Sequence, residues 1–394
     1  MKILYLHQYF NTNHSGGSTR SYEFSKALIK NGYNVTMISG KDIDKKEIEV
    51  LINFKIYLTG TKYDNSMSYI RRILAFVYYI INSIIIGIKL KGINIVFASS
   101  TPLTVALPGY ILSKIHKSKF IFEARDIWPD IPIELGVLKN KLLLVLLKKY
   151  ERFIYTKADH IIVASEGMQK NLFKKGIPKN KVTVITNMAN LYLVDSIKKS
   201  KLKLKEDNGF KGKFVCIHSG TMGFVNGLDY ILNVAKEIKQ MDRNIIFILI
   251  GEGKEKEKLK KRRNKENINN VIIMDILPKN EIFSLLKAAD IGLMTVKNYK
   301  ILHDNSANKF FDYLAVGLPV LINYGGWQKK VLELDNAGFS CSAINFKDMA
   351  EKILYLKGNS ELLKKMSKNS RDLAENKFSR NICCNKLVNI FKNL

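Results

Sequence analysis

Short apolar runs separated by helix-length stretches recur along the whole chain, and this alternation constrains the fold more than any other feature. Residues 3–6, 35–39, 95–98, 120–122, 160–164 and 182–185 read as strands in the first half. A helix fits 19–31, and Gly32 closes it. A strand, a loop, a helix and a second strand in that order build a parallel sheet. Residues 214–218, 245–250, 271–274, 291–294 and 320–322 repeat the pattern in the second half. A chain of 394 residues favours two such α/β cores over one. The expected division is 1–186, then 187–378, then a terminal helix over 379–394. Residues 187–213 have no sustained period and a lysine-rich middle, so they read as a solvated linker.

The net charge of +29 is far from ordinary and draws the chain to anionic surfaces. The lysines are dispersed and no nucleic-acid-binding signature occurs, so nucleic acid is not expected as a partner. The cysteines, Cys216, Cys341, Cys383 and Cys384, form no C-x-x-C pair, so no zinc site is indicated. A reducing cytoplasm fits them. The first residues run straight into an apolar stretch too short for a signal peptide. Residues 70–90 hold an apolar run interrupted by Asn82, Ser83 and Gly87. A membrane span needs about 20 apolar residues. The run reads as a core helix, or as one touching a membrane surface, rather than as a span. Residues 142–155 form an apolar helix edged by Lys148, Lys149 and Arg152. The expected setting is peripheral, on the anionic inner face of the cell membrane.

The most informative stretch is 304–324, D-N-S-A-N-K-F-F-D-Y-L-A-V-G-L-P-V-L-I-N-Y. A polar loop leads into Lys309, a helix follows over 310–316, and Gly317 and Pro319 stop it. A helix start offers free N–H groups to an anion. Lys309 adds full charge, and the Asp312 carboxylate can accept from hydroxyls. Phosphate together with sugar hydroxyls is the chemistry of a nucleotide-sugar. The bland reading of the same residues is a surface Lys–Asp pair. Glycine-bearing turns end other strands: Gly16-Gly17, then Gly220-Thr221, then Gly251-Glu252-Gly253. Such turns let backbone approach a ligand closely. The segment F-E-A-R-D-I-W-P-D places Arg125 and Asp126 at the carboxyl end of the 120–122 strand, the usual ligand edge of an open α/β sheet.

N-K-F-F-D-Y-L-A-V-G-L-P-V resembles the donor-site signature of glycosyltransferase family 4, in the branch that builds bacterial O-antigens and capsules. F-E-A-R-D-I-W-P-D is similar to a segment of that branch. Together the similarities run through nearly the whole chain in order. The resemblance implies the GT-B fold, two Rossmann-like domains, with 379–394 returning to the first. It implies retaining transfer from a nucleotide-sugar, UDP-linked, to a hydroxyl of a glycan or lipid-linked acceptor. It implies donor contacts from Gly16, Gly17, Arg20, Gly220, Thr221, Gly251, Gly253, Ile276, Lys309 and Asp312. Asp304, eight residues before Asp312, corresponds to the first of two donor-contacting acids. Arg125, Asp126 and Asp304 are the catalytic candidates. Relatives carry Arg and Lys in the first turn of the second half, where this chain has Thr221 and Asn226. That difference moves the phosphate charge onto Lys309, backbone amides and Arg125. The one D-x-D triplet, Asp42-Ile43-Asp44, lies in a lysine-rich loop, so neither metal nor cofactor is expected. A nucleotide-sugar 2-epimerase of the same fold and a non-catalytic basic binding protein are the alternatives.

Overall fold

Among the described residues the strands pair only in parallel, as connections through helices require. The computed structural model describes residues 1–12, 19–40, 52–61 and 67–394. It divides into two units, one of Met1–Thr186 with Cys383–Leu394, the other of Asn187–Ile382.

The first unit holds seven strands: β1 Lys2–Leu6, β2 Asn34–Ser39, β3 Phe54–Leu58, β4 Ile95–Ser99, β5 Lys119–Ala124, β6 His160–Val163 and β7 Val182–Val184. Their order is β3-β2-β1-β4-β5-β6-β7, which reverses direction between β1 and β4. Ile3, Leu4, Tyr5 and Leu6 are fully buried because both sheet faces are covered. The terminal helix Arg380–Lys392 joins this unit from Cys383 onward. There Phe391 packs edge-on to Phe97 at 5.5 Å and to Tyr33 at 6.2 Å.

The second unit holds β8 Phe214–Ser219, β9 Ile245–Ile250, β10 Val271–Met274, β11 Ile291–Met294, β12 Val320–Ile322 and β13 Gly338–Ser340. Their order is β10-β9-β8-β11-β12-β13, with the reversal between β8 and β11. Alternate residues face opposite sides of this sheet. Val215, Ile217, Ile248 and Ile250 join one core cluster, while Cys216, Phe247 and Leu249 join the other. Each unit therefore has the doubly wound arrangement whose ligands bind at the reversal, beyond the carboxyl ends of the strands.

The expected linker is a correction. Residues 187–213 carry two helices, Leu191–Ser196 and Lys201–Asp207. Asn190 and Ser200 cap them by accepting from the Leu193 and Lys203 amides. The helices pack on the Lys279–Ala288 helix, and Lys201 and Lys205 both pair with the largely buried Asp290. Helices of six and seven residues are too short to display a period, and a lysine-rich sequence resembles solvated loop. The edge strands β3 and β13 were also not among the expected strands.

Candidate functional site

In the second unit the helix Asn308–Ala315 is held on the sheet reversal by a hydroxyl. Tyr313 accepts from the Ser219 amide at 2.8 Å and donates to the Leu293 carbonyl at 3.3 Å. Its hydroxyl thereby ties the ends of β8 and β11. Gly292 makes room for the ring, since a Cβ there would lie 2.6 Å from Tyr313 Cδ2. At the other end Gly317, at φ +74°, completes the stop. The Leu318 amide returns to the Tyr313 carbonyl at 2.9 Å, and Gly317 to Leu314 at 3.0 Å.

This docking sets Lys309 over the turn that follows β8. Its Nζ lies 3.1 Å from His218 Nε2, and His218 Nδ1 lies 3.2 Å from the Leu293 carbonyl oxygen. A carbonyl only accepts, so Nδ1 carries the proton and Nε2 receives the lysine. Burial, and then the Lys309 charge, push the His218 imidazole well below its usual range. Lys309 makes no ion pair among the described residues, and desolvation pushes its ammonium down to about 7. The Asp312 carboxylate, one turn on and half-buried, accepts no hydrogen bond among the described residues. Desolvation raises it to about 6 against the opposing pull of Lys279. A lysine without a counter-charge and a carboxylate without a donor, side by side at a sheet reversal, fit an anion joined to hydroxyls.

Two glycine-bearing turns, after β8 and β9, stand at Lys309 or next to it. Gly220 has φ +138°, and a Cβ on it would lie 2.9 Å from Lys309 Cε and push the ammonium aside. A Cβ on Gly251 would lie 2.0 Å from the Gly220 carbonyl oxygen, and one on Gly253 would lie 2.3 Å from that of Met222. The turns after β8 and β9 interlock through Gly220 N–H to Ile250 and Met222 N–H to Glu252, both 2.8 Å. Buried Lys256 bridges Glu252 at 2.5 Å to Asp275, which fixes the loop after β10. Ile276 projects from that loop, and Thr221 from the turn after β8; both are exposed. Asp304 ends a short turn, Lys300–Asp304, and is half-buried. The following loop is clamped by Trp327 Nε1 to the Asn305 carbonyl at 2.7 Å and by Asn187 to the Ser306 carbonyl at 2.5 Å.

The first unit brings Arg125 to the end of β1, at its own sheet reversal. Arg125 Nη1 lies 3.3 Å from His7 Nε2, and His7 Nδ1 lies 2.8 Å from Ser21 Oγ. Arginine only donates, so His7 accepts at Nε2, carries its proton on Nδ1 and donates from there to Ser21 Oγ. Burial and the Arg125 charge keep this imidazole neutral, well below its usual range. The Arg125 amide donates to Ser100 Oγ at 2.9 Å. Asp126 is exposed and accepts a hydrogen bond from Thr101.

Arg20, expected among the donor contacts, is engaged inside the first unit. Its guanidinium is 2% exposed and donates to Glu123 Oε1 at 2.7 Å, to the Ile185 carbonyl at 2.7 Å and to the Thr186 carbonyl. It stacks on Phe24 at 4.5 Å. All of these partners lie inside the first unit, so Arg20 clamps β5 to the end of β7. Gly16 and Gly17, and the Asp42–Asp44 triplet, lie outside the described residues.

His7 and His218 were not among the expected residues. Each stands at the carboxyl end of the first strand of its unit, is neutral, and accepts from a cation brought to that edge. The signal was present in the sequence: a histidine where an otherwise apolar strand ends.

Two family models match consecutive parts of the chain: "Glycosyltransferase Family 4" over residues 14–192 and "Glycosyl transferases group 1" over residues 200–373. "Probable glycosyltransferase WbjE" of Pseudomonas aeruginosa is 22% identical over 251 residues, which are 63% of this chain and 62% of that protein. The other curated relatives are matched over comparable fractions of their length, down to 49%. Among solved structures, WaaG, a glycosyltransferase involved in lipopolysaccharide biosynthesis, superposes with a TM-score of 0.71 at 15% identity, over 99% of both chains. Anabaena HepE in complex with UDP-glucose superposes with a TM-score of 0.73 at 15% identity, over the whole of both chains. With two doubly wound parallel sheets and family models covering both halves in sequence, the chain belongs to glycosyltransferase family 4 and has the GT-B fold.

Proposed function

We propose that this protein moves a sugar from a UDP-linked donor to a hydroxyl of a lipid-linked glycan acceptor, with retention at the anomeric carbon, in the building of a bacterial O-antigen or capsule. The observation that carries the reading is Lys309, a desolvated cation without a counter-charge, one helical turn from Asp312. Lys309 takes the diphosphate and Asp312 the ribose hydroxyls, while Gly220, Gly251 and Gly253 let the backbone close on the nucleotide. Asp304 is the second acid on the donor, and Arg125 and Asp126 are the catalytic pair of the first unit. HepE, a structural neighbour, binds UDP-glucose, and WaaG serves lipopolysaccharide synthesis, which agrees with this reading.

Breaking the bond between the sugar and the diphosphate leaves negative charge on the departing oxygen. A fixed cation aimed at that oxygen stabilises the transition state without reorganisation. Lys309 supplies that cation, so transfer should proceed without a divalent metal. Activity of the purified protein should survive EDTA; loss in EDTA with recovery on adding magnesium or manganese would refute this.

Asp312→Ala should weaken UDP by about ten- to a hundredfold, from a charge-assisted hydrogen bond of about 1.5–3 kcal/mol. Asp312→Asn should weaken it less, since its amide oxygen still accepts. Calorimetric titration measures both, and equal losses would remove the hydroxyl role.

A thermal-shift screen of nucleotide-sugars identifies the donor, since a ligand at ~100 times its Kd adds about 2.7 kcal/mol. The assay that tests the function follows nucleotide release from that donor. Release that depends on an added glycan acceptor supports transfer. Conversion of one nucleotide-sugar into another without acceptor would make the protein a 2-epimerase instead.

A further inference from the structure

The turn after β8 brings no charge of its own. From Ser219 to Asn226 it reads S-G-T-M-G-F-V-N, whereas a diphosphate carries more than one negative charge. Lys309 covers the start of this turn, at Gly220. The loop that leaves β11 covers its end. There the Lys297 amide donates to the Val225 carbonyl at 2.9 Å, and Thr295 Oγ1 donates to the Asn226 carbonyl at 2.6 Å. Buried Asn323, the residue after β12, holds the same loop from its other side. Its Oδ1 accepts from the Val296 amide at 2.8 Å, and its Nδ2 donates to the Val296 carbonyl at 3.0 Å. Gly227, at φ +57°, permits this approach, since a Cβ there would lie 3.2 Å from the Lys297 amide nitrogen.

Lys297 is therefore fixed by its backbone at the β8–β11 reversal, and it is half-buried. Its ammonium makes no ion pair or hydrogen bond among the described residues. It lies 5.4 Å from the centroid of the Phe224 ring, which belongs to the same turn and is 52% exposed. An aromatic face orients a cation without neutralising it, so the charge stays available to an anion. We propose that Lys297 is a second cation of the donor site and meets the terminal phosphate of the nucleoside diphosphate. This assignment rests on the donor reading above. The order of groups along the reversal supports it. Asp312 takes the ribose, Lys309 stands one helical turn before it over Gly220, and Lys297 stands farther along the turn, at Val225 and Asn226. The terminal phosphate carries the oxygen that departs from the sugar, so a second fixed cation there shares the charge that builds on it.

Calorimetric titration of the full chain with UDP, UMP and uridine tests the proposal. Lys297→Met keeps an unbranched stem on Phe224 and removes the charge. It should weaken UDP about five- to tenfold, between a solvent-exposed ion pair and a charge-assisted hydrogen bond. UMP and uridine lack the terminal phosphate, so their affinities should stay within about twofold of the parent's. Lys297→Arg keeps the cation and should bind UDP as the parent does. Both variants should melt with the parent. Unchanged UDP affinity in Lys297→Met would overturn the proposal. So would equal loss of UDP, UMP and uridine, which marks a residue that only shapes the turn. Lys309→Ala distinguishes failure here from failure of the donor reading. If it weakens UDP while Lys297→Met does not, the donor site stands and the second cation falls. If neither variant weakens UDP, both fall.

Discussion

Replacing Lys309 by alanine should weaken UDP by about ten- to a hundredfold and leave uridine nearly unchanged. The magnitude is that of a charge-assisted hydrogen bond, about 1.5–3 kcal/mol. The asymmetry follows because uridine lacks the phosphates. A pH dependence accompanies it. The Lys309 ammonium, held down to about 7, is half-neutral in the empty site near that pH. A bound diphosphate favours the charged form, so binding above pH 7 takes up a proton and affinity falls as pH rises. Below about 6 the Asp312 carboxyl protonates and loses acceptor strength, so affinity falls there too. UDP should therefore bind best between about 6 and 7. The nucleotide's own ionisation is retained in Lys309→Ala, which separates the two contributions. The same desolvation opposes folding. Below pH 7 the folded protein holds the buried ammonium and the penalty is full; above it the penalty shrinks until the ordinary lysine value is reached. Lys309→Met should thus raise the melting temperature of the empty protein near pH 7, with a gain that fades towards pH 10. Equal loss of UDP and uridine, or loss of neither, would reduce the residue to a surface contact.

Arg20→Met should destabilise the first unit by about 3–5 kcal/mol, because it strands a buried charge. Glu123 is fully buried, and without Arg20 its carboxylate keeps, among the described residues, the hydrogen bond from Ser99 Oγ at 2.5 Å. Adding Glu123→Leu should recover much of the loss, since a buried ion pair contributes little over an apolar pair of similar size. Urea unfolding read by hydrogen exchange in β5 confines the measurement to this unit. UDP affinity of the folded variant should match that of the parent. A variant of normal stability that binds UDP poorly would restore Arg20 to the donor site.

The parallel sheets were legible because their central strands are short apolar runs buried on both faces, each ended by glycine or polar residues. The ends of the sheets were not. β3 alternates half-buried and exposed residues, and β13 has only three residues, Gly338–Ser340. At the site, Lys309 and Asp312 could be placed from the helix start and the stop at Gly317. The role of Gly251 could not, because it depends on a Gly220 carbonyl that comes close only in three dimensions. Arg20 shows a further contact the sequence does not reveal. The resemblance implies a donor contact for this arginine, and only the fold shows Glu123 and two carbonyls taking its Nε and one N–H of each terminal nitrogen. His7 and His218 act through cations 118 and 91 residues away, and no local pattern reports that.

The measurement that bears most directly on donor binding is the crystal structure of the complex with UDP. The diphosphate should lie on Lys309 Nζ above Gly220, at about 2.7–2.9 Å, and the ribose hydroxyls on Asp312. Nucleotide bound away from the β8–β11 reversal, or a Lys309 still directed only at His218 with UDP present, would contradict it.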